Sequence, residues 1–518
     1  MDADAFLTAS YARIRASAAV PAGTYAPTLP SASALATARS ALPAASEEEE
    51  EAHLQGIGAE ATLAHLTETV APALEGHNRG GRYFGFVTGS ALPVAEAADN
   101  LVSAFDNSVQ VHLPDQSIAT EVEDAALRLL LRLLDLGTGW RGRTFTTGAT
   151  ASNILGLACG REAVVGARLP PQVRERGGGG VGELGILAAC AAAGVREVQV
   201  LTSMGHSSLS KAASVVGLGR HAVKELPHNG AEPWRLDLHA VERELQRRDI
   251  ASIIAVSAGE VNTGRFATSG AEDLRRLRGL ADKYGAWIHV DGAFGIFARA
   301  LPATDEFARL RESAAGLELA DSITVDGHKL LNVPYDTGIF FTRESTTLHA
   351  VFQNPNAVYL SAPGASPIPS PLNIGLENSR RFRALPVYAV LISEGRAGVA
   401  AMLARMVRLA RGIAAAIASD RELKDEYELL PAATPGSEEE GEDTHVVVLF
   451  RARDEGLNEA LVRNIQGSGE WYVSGTKWDG RPACRIAVAS WRVNVEEDLE
   501  FVTRSLVKVA KDWRASVR

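Results

Sequence analysis

Three short segments carry residues whose types and spacing could do chemistry. The first is ADSITVDGHKLLNVPYDTGIFF, from Ala320 to Phe341. Lys329 falls just past an apolar run, with His328 before it and Leu330 and Leu331 after it. Removing an ammonium from water is costly, so a lysine among apolar neighbours either snorkels to solvent or is needed in place. A partly desolvated lysine has a lowered pKa and becomes an amine nucleophile towards aldehydes. The second segment is WIHVDGAFG, Trp287 to Gly295. Asp291 ends an apolar strand pattern there, at the carboxyl edge where open α/β sheets bind ligands, and a buried carboxylate wants a cationic partner. The third is RTFTTGATASNILGLACGRE, Arg143 to Glu162, which reads strand, small-residue turn, helix. Small residues from Gly148 to Ala151 expose backbone N–H groups at a helix start, an anion site suited to phosphate.

Each segment alone also fits a structural role: a strand-end lysine, a turn aspartate, a plain strand-to-helix turn. Their order along the chain is more specific. A phosphate cradle, then a strand-end aspartate, then a strand ending in His-Lys is what an aldehyde cofactor bearing a pyridine ring and a phosphate requires. That cofactor is pyridoxal 5'-phosphate.

The elements that must position these residues follow from periodicity. Short apolar runs predict strands over 195–203, 250–259, 286–293, 322–326 and 338–342. Amphipathic stretches lie between several of them. SGAEDLRRLRGLADKYG puts Leu274, Leu277, Leu280 and Ala281 on one face and stops at Gly285. TEVEDAALRLLLRLLDLG suggests a capping box from Thr120 to Glu123 and a stop at Gly137. Strands alternating with helices predict an α/β fold with a mostly parallel sheet flanked by helices. Near Pro386 the pattern changes. HVVVLFRAR and CRIAVAS alternate like half-exposed antiparallel strands, so a small α+β C-terminal domain is expected. The expected division is a helical N-terminal segment (1–85), a large cofactor domain (86–385) and a small domain (386–518).

Three stretches read as surface or linker: Ser31 to Glu51, which ends in five glutamates, Pro431 to Asp443, and the glycine run around Gly177 to Gly180. With 518 residues, more than one domain is expected. Basic residues number 52 and acidic residues 63, a formal net charge of −11, which gives no electrostatic reason to bind nucleic acid or an anionic membrane. Three distant cysteines argue against a disulfide framework or a zinc ribbon. No stretch approaches the ~20 apolar residues of a membrane helix, and the start lacks a secretory pattern, so a cytoplasmic location is expected. A formal match to a dinucleotide fingerprint at Gly177, Gly179 and Gly182 follows no strand, and no metal-site or nucleophile-elbow motif occurs.

On HVDGAFG, DGHKLLNVPYDTG, SMGHSSLSKAA (203–213) and SRRFRALPVYAVLISEGRAG (379–398), the chain resembles the group II pyridoxal-phosphate-dependent decarboxylases, which include the glutamate, histidine and aromatic amino acid decarboxylases. The resemblance runs from about Tyr83 to Val509. It implies the fold type I transferase architecture, a homodimer and decarboxylation of an L-amino acid. It also implies roles: Lys329 carries the cofactor as a Schiff base, Asp291 pairs with the pyridinium nitrogen, His206 stacks on the ring and Ala293 packs on its other face. Thr150, Ala151 and His328 would hold the phosphate, with Asn262 and Thr263 near the ring. Arg485 would meet the substrate carboxylate, and Phe86 and Thr88 would line a pocket across the dimer interface. His206 and Lys329 are candidates to manage protons.

Two departures stand out. Many relatives carry a loop tyrosine that protonates the product carbon; here Tyr359 opens that stretch, no tyrosine follows, and Asn373 lies near the expected place. The family links this loss to aldehyde formation. Asp326 stands where relatives often have asparagine, and should weaken phosphate binding unless paired or turned away. The alternatives are an aldehyde synthase, an aminotransferase, a Cα–Cβ lyase, or a non-catalytic protein of this fold.

Overall fold

The apolar runs become the strands of a central sheet. The computed structural model describes residues 2–20, 24–175, 179–354, 367–431 and 441–517. Strand β1 (Tyr83–Phe84) precedes the seven strands of the large sheet: β2 (Gly142–Thr146), β3 (Glu197–Thr202), β4 (Val223–Glu225), β5 (Ile250–Ser257), β6 (Trp287–Asp291), β7 (Ser322–Asp326) and β8 (Gly338–Thr342). Their order is β2-β8-β7-β6-β5-β3-β4. All neighbours are parallel except at β8, which runs antiparallel to both β7 and β2.

Every residue of β5 is buried, because helices cover both sheet faces. Alternate side chains divide the core. Ile254, Val256, Ile288 and Val290 share one cluster with Leu274 and Leu277 of the helix Ala271–Tyr284. Ile253, Ala255 and Trp287 share the opposite cluster with Leu155 and Leu157 of the helix Ala149–Gly166. Gly285 caps the first of these helices at φ 66°, as expected for a left-handed C-terminal residue.

A second sheet adds β9 (Tyr427–Leu430), β10 (Val447–Ala452), β11 (Tyr472–Trp478) and β12 (Arg481–Ala487), in the order β1-β11-β12-β10-β9. β10 is antiparallel to β9 and β12. It is buried throughout rather than half-exposed, because it lies between two strands with helices over it. β1 pairs in parallel with β11, so the N-terminal segment joins the small sheet. The helix Ala384–Ser419, kinked at Gly395, spans the expected 385/386 boundary. It is long and apolar enough to cross a bilayer, yet Arg396 donates to the Leu133 carbonyl and Arg408 pairs with Glu306.

The capping box at Thr120 does not form. The helix runs Ala119–Leu133 with Ile118 at its N-cap and ends before Gly137. Thr120 is bonded to His112 Nδ1 at 2.8 Å, and Glu123 is buried against Arg380 at 2.7 Å. Partners outside the helix therefore outcompete the local cap. The five glutamates of the linker open the helix Glu47–Leu54 behind the Ser46 N-cap, a favourable placement for negative charge. Residues 432–440 of the second acidic stretch, Gly177 and Tyr359 lie outside the described residues.

Candidate active site

A cavity of about 470 Å³ opens at the carboxyl ends of the parallel strands. Its wall includes Thr150 and Ala151, His206, Asp291 and Ala293, His328 and Lys329, and Arg485. Phe86 and Thr88 also line it, within their own chain. The expected route across a subunit interface is therefore not needed for these two residues.

Asp291 ends β6 and is held from behind. Asn153 Nδ2 donates to its Oδ2 at 2.8 Å and the Ala293 amide to its Oδ1 at 3.3 Å. Asn153 itself is saturated. Its second Nδ2 hydrogen goes to Ser208 Oγ at 3.2 Å, while its Oδ1 accepts from His289 Nε2 and from Thr324 Oγ1, each at 2.9 Å. His289 in turn accepts from Ser322 Oγ at Nδ1, at 2.8 Å. Burial pushes the His289 pKa down to about 4, so the ring is neutral and the chain of bonds has a fixed direction.

His206 caps the helix Ser207–Val215. Its Nδ1 accepts from the Ser208 amide at 3.2 Å and lies 2.7 Å from Ser208 Oγ. With Nδ1 occupied as acceptor, the neutral ring carries its hydrogen on Nε2. Burial lowers the His206 pKa, which keeps it neutral.

Lys329 lies one short turn beyond β7, with its side chain 23% exposed. Its Nζ is 3.1 Å from Asp326 Oδ2 and 5.7 Å from the Phe294 ring centroid. The amine therefore points to the cavity rather than to bulk water. Arg485 is fixed by donation to Ser474 Oγ at 3.1 Å and to the Val261 carbonyl at 2.8 Å.

Asn262 and Thr263 are not on this wall. Thr263 donates to the buried Glu260 through both its amide and its hydroxyl, at 2.8 Å each, and Asn262 Oδ1 accepts from Thr476 Oγ1 at 2.8 Å. Their segment contributes Val261 instead. Three residues escaped the sequence reading. Asn153 carried a signal, since it lies one turn into the helix whose start forms the cradle. Tyr335 carried none: it lines the cavity, its hydroxyl is 3.0 Å from Thr88 Oγ1, and its ring lies 4.5 Å from that of His328. Ser208, third, is read only through its partners.

These features fit pyridoxal 5'-phosphate. The N-cap Gly148 gives the helix Ala149–Gly166 no side-chain cap, leaving first-turn amides for an anion at the cavity wall. The amine of Lys329 and an anchored carboxylate at Asp291 face the same space, whose volume suits a small cofactor and substrate. Asp326 is the one residue that strains the fit. It is buried in the cradle, and its Oδ1 has no hydrogen-bond partner among the described residues.

Fold and site thus define a pyridoxal-phosphate enzyme. The chain belongs to the family described as pyridoxal-dependent decarboxylase conserved domain, which matches residues 97–429. It is a pyridoxal 5'-phosphate-dependent carboxy-lyase acting on an amino acid. Among similar proteins, the L-2,4-diaminobutyrate decarboxylase of Acinetobacter baumannii is 24% identical over 442 residues, 81% of this chain and 78% of the relative. The phenylacetaldehyde synthase of Arabidopsis thaliana is 23% identical over 69% of this chain and 74% of its own. The crystal structure of Oryza sativa TDC with PLP and tryptamine superposes with a TM-score of 0.76 at 18% identity, covering 99% of this chain and 98% of that one.

Proposed function

We propose that the chain releases the α-carboxylate of an L-amino acid as carbon dioxide, with Lys329 as the residue that carries the cofactor. The observation behind this is one cavity wall shared by the Lys329 amine, the anchored Asp291 carboxylate and an uncapped helix start. When bound, pyridoxal 5'-phosphate supplies an aldehyde for the substrate amine and a cationic ring that draws electrons from the α-carbon.

The chain's residues do the rest. Asp291 holds the proton on the ring nitrogen, and Asn153 keeps its carboxylate aimed. The first turn at Thr150 and Ala151 binds the phosphate, with His328 beside it. His206 and Ala293 flank the ring. Arg485 orients the substrate carboxylate; its guanidinium is already fixed by Ser474 and Val261, so little ordering is lost on binding. Phe86, Thr88 and Tyr335 surround the substrate side chain. Lys329 and His206 move protons to and from the α-carbon.

A second reading is aldehyde formation. It is favoured by the lack of any tyrosine between Tyr359 and Arg381 and by the synthase among the relatives. Oxygen and water would then be consumed, and carbon dioxide, ammonia and hydrogen peroxide released with the aldehyde. One assay decides: the loaded protein is incubated with the standard amino acids and L-2,4-diaminobutyrate, and carbon dioxide, amine and peroxide are measured. Equal carbon dioxide and amine support the first reading. Carbon dioxide with peroxide supports the second. Keto acid without carbon dioxide rejects both.

We also propose a homodimer. Leu101 and Phe105, one turn apart on the helix Pro93–Phe105, are 51% and 74% exposed, an apolar strip that a second copy could cover. Light scattering on the eluting protein is expected to give twice the chain mass; a single-chain mass would reject the dimer.

A further inference from the structure

We propose that Asp326 is a resident anion of the phosphate cradle, which holds Lys329 in the empty protein and takes up one proton when the cofactor's phosphate enters. The inference rests on the reading that the start of the helix Ala149–Gly166 receives that phosphate.

The Asp326 side chain is only 3% exposed. Its two oxygens are unequally served. Oδ2 faces Lys329 Nζ at 3.1 Å and His328 Nε2 at 3.7 Å. Oδ1 is buried with no hydrogen-bond partner among the described residues. It lies 3.7 Å from the position a Cβ would take on Gly148, so it looks onto the helix start. That is a favourable place for one negative charge. It is an unfavourable place for a carboxylate and a phosphate together, because like charges in a shielded site repel strongly. Engaging the Lys329 amine with the cofactor also loosens its ion pair with Asp326.

The repulsion is relieved by a proton, and the surrounding groups restrict where it goes. The titratable groups facing Asp326 are Lys329 and His328 from its own turn, Tyr335 from the next loop, and His206 from the helix Ser207–Val215. Lys329 is already the cationic partner. Tyr335 keeps its hydroxyl proton, since burial raises its pKa. His328 Nδ1 accepts from the Thr337 amide at 3.1 Å, and His206 Nδ1 accepts from the Ser208 amide at 3.2 Å. Neither ring can add a proton without breaking a bond to the backbone. The unpartnered Oδ1 of Asp326 is the free base. A proton from solvent forms an O–H bond there, and the carboxyl group then becomes a donor that a phosphate oxygen can accept.

The test is cofactor binding by the empty protein, followed from pH 6 to 9 by tryptophan fluorescence and by the absorbance of the lysine-bound chromophore. Wild type is expected to lose affinity with rising pH more steeply than Asp326→Asn, by up to about tenfold per pH unit for one proton. At pH 8 to 9, Asp326→Asn is expected to bind pyridoxal 5'-phosphate at least about tenfold more tightly. Pyridoxal, which lacks the phosphate, is the control and should show no such difference between the two proteins. Calorimetry in two buffers of different ionisation enthalpy should find ~1 more proton taken up per site by wild type. Equal pH slopes with an intact chromophore, or weaker binding by Asp326→Asn at every pH, would overturn the inference alone. Absence of any lysine-bound chromophore in wild type would instead overturn the site reading on which it rests. Thermal unfolding of Asp326→Asn checks that the variant is folded, and the pyridoxal comparison in wild type stands even if it is not.

Discussion

At the scale of single residues, the site depends on side chains that never meet substrate. Asp291 is useful only if its carboxylate is fixed, and Asn153 fixes it while using all four of its own hydrogen-bonding positions. Asn153→Ala would leave the buried His289 Nε2–H and one oxygen of Asp291 without their partner. Such a loss costs about 1–3 kcal/mol. Denaturant unfolding is expected to show the variant less stable by that amount. It should also lower kcat more than it raises KM, measured by carbon dioxide release. Unchanged stability and kcat would contradict the role given to Asn153. Lys329, Asp291 and the helix-start residues were legible in the sequence because the chemistry restricts residue type at each. Asn262 and Thr263, expected near the ring, lie off the cavity wall, next to Val261, which is on it. A buried glutamate two or three residues upstream captures their backbone and hydroxyl groups, and local capping of this kind leaves no mark in spacing.

At the scale of elements, the packing of the helix Ala149–Gly166 against β6 sets the distance between cradle and carboxylate. The contact is close because position 156 has no side chain. A Cβ there would lie 2.2 Å from the His289 ring, which is fully buried and bonded at both nitrogens. Gly156→Ala must therefore push the helix or the ring. It is expected to destabilise the fold by about 1–3 kcal/mol and to weaken cofactor retention through the Asn153–Asp291 contact. Thermal unfolding and the fraction of chain carrying chromophore after gel filtration measure both. A variant as stable and as fully loaded as wild type would contradict this packing argument. The inner strands of the large sheet were readable from the sequence since their apolar runs must be buried on both faces; β4, β9 and β11, which are not buried throughout, were not. The start of the helix Ala119–Leu133 was not, because Thr120 and Glu123 serve partners at His112 and Arg380 that local sequence does not reveal.

At the scale of the whole molecule, two sheets are tied together at the lysine turn. Asn332, at φ 56°, donates to the Leu330 and Ala489 carbonyls at 3.2 and 3.0 Å and accepts from the Trp491 amide at 2.8 Å. The small sheet thus reaches the residue three positions beyond Lys329, a connection invisible to pattern. The shared core also makes the fold sensitive to acid. His289 and His445 are fully buried and neutral, with pKa values pushed by burial to about 4 and about 3 against 6.5 for an ordinary histidine. Between about pH 6.5 and 4 the unfolded chain binds more protons than the folded one, so stability falls as pH falls. His445 has no partner at either ring nitrogen among the described residues and stacks on Phe294 at 6.3 Å. His445→Phe is expected to keep neutral-pH stability within about 1–2 kcal/mol and to flatten the acid loss. An unchanged acid slope in urea titrations from pH 7 to 4.5 would contradict the assignment of that loss to His445.

The most direct measurement is reduction of the loaded protein with borohydride, followed by peptide mapping. A single pyridoxyl group on Lys329 is expected, lost with the chromophore in Lys329→Ala. A pyridoxyl group fixed on another lysine, or a chromophore that survives Lys329→Ala, would contradict the site described.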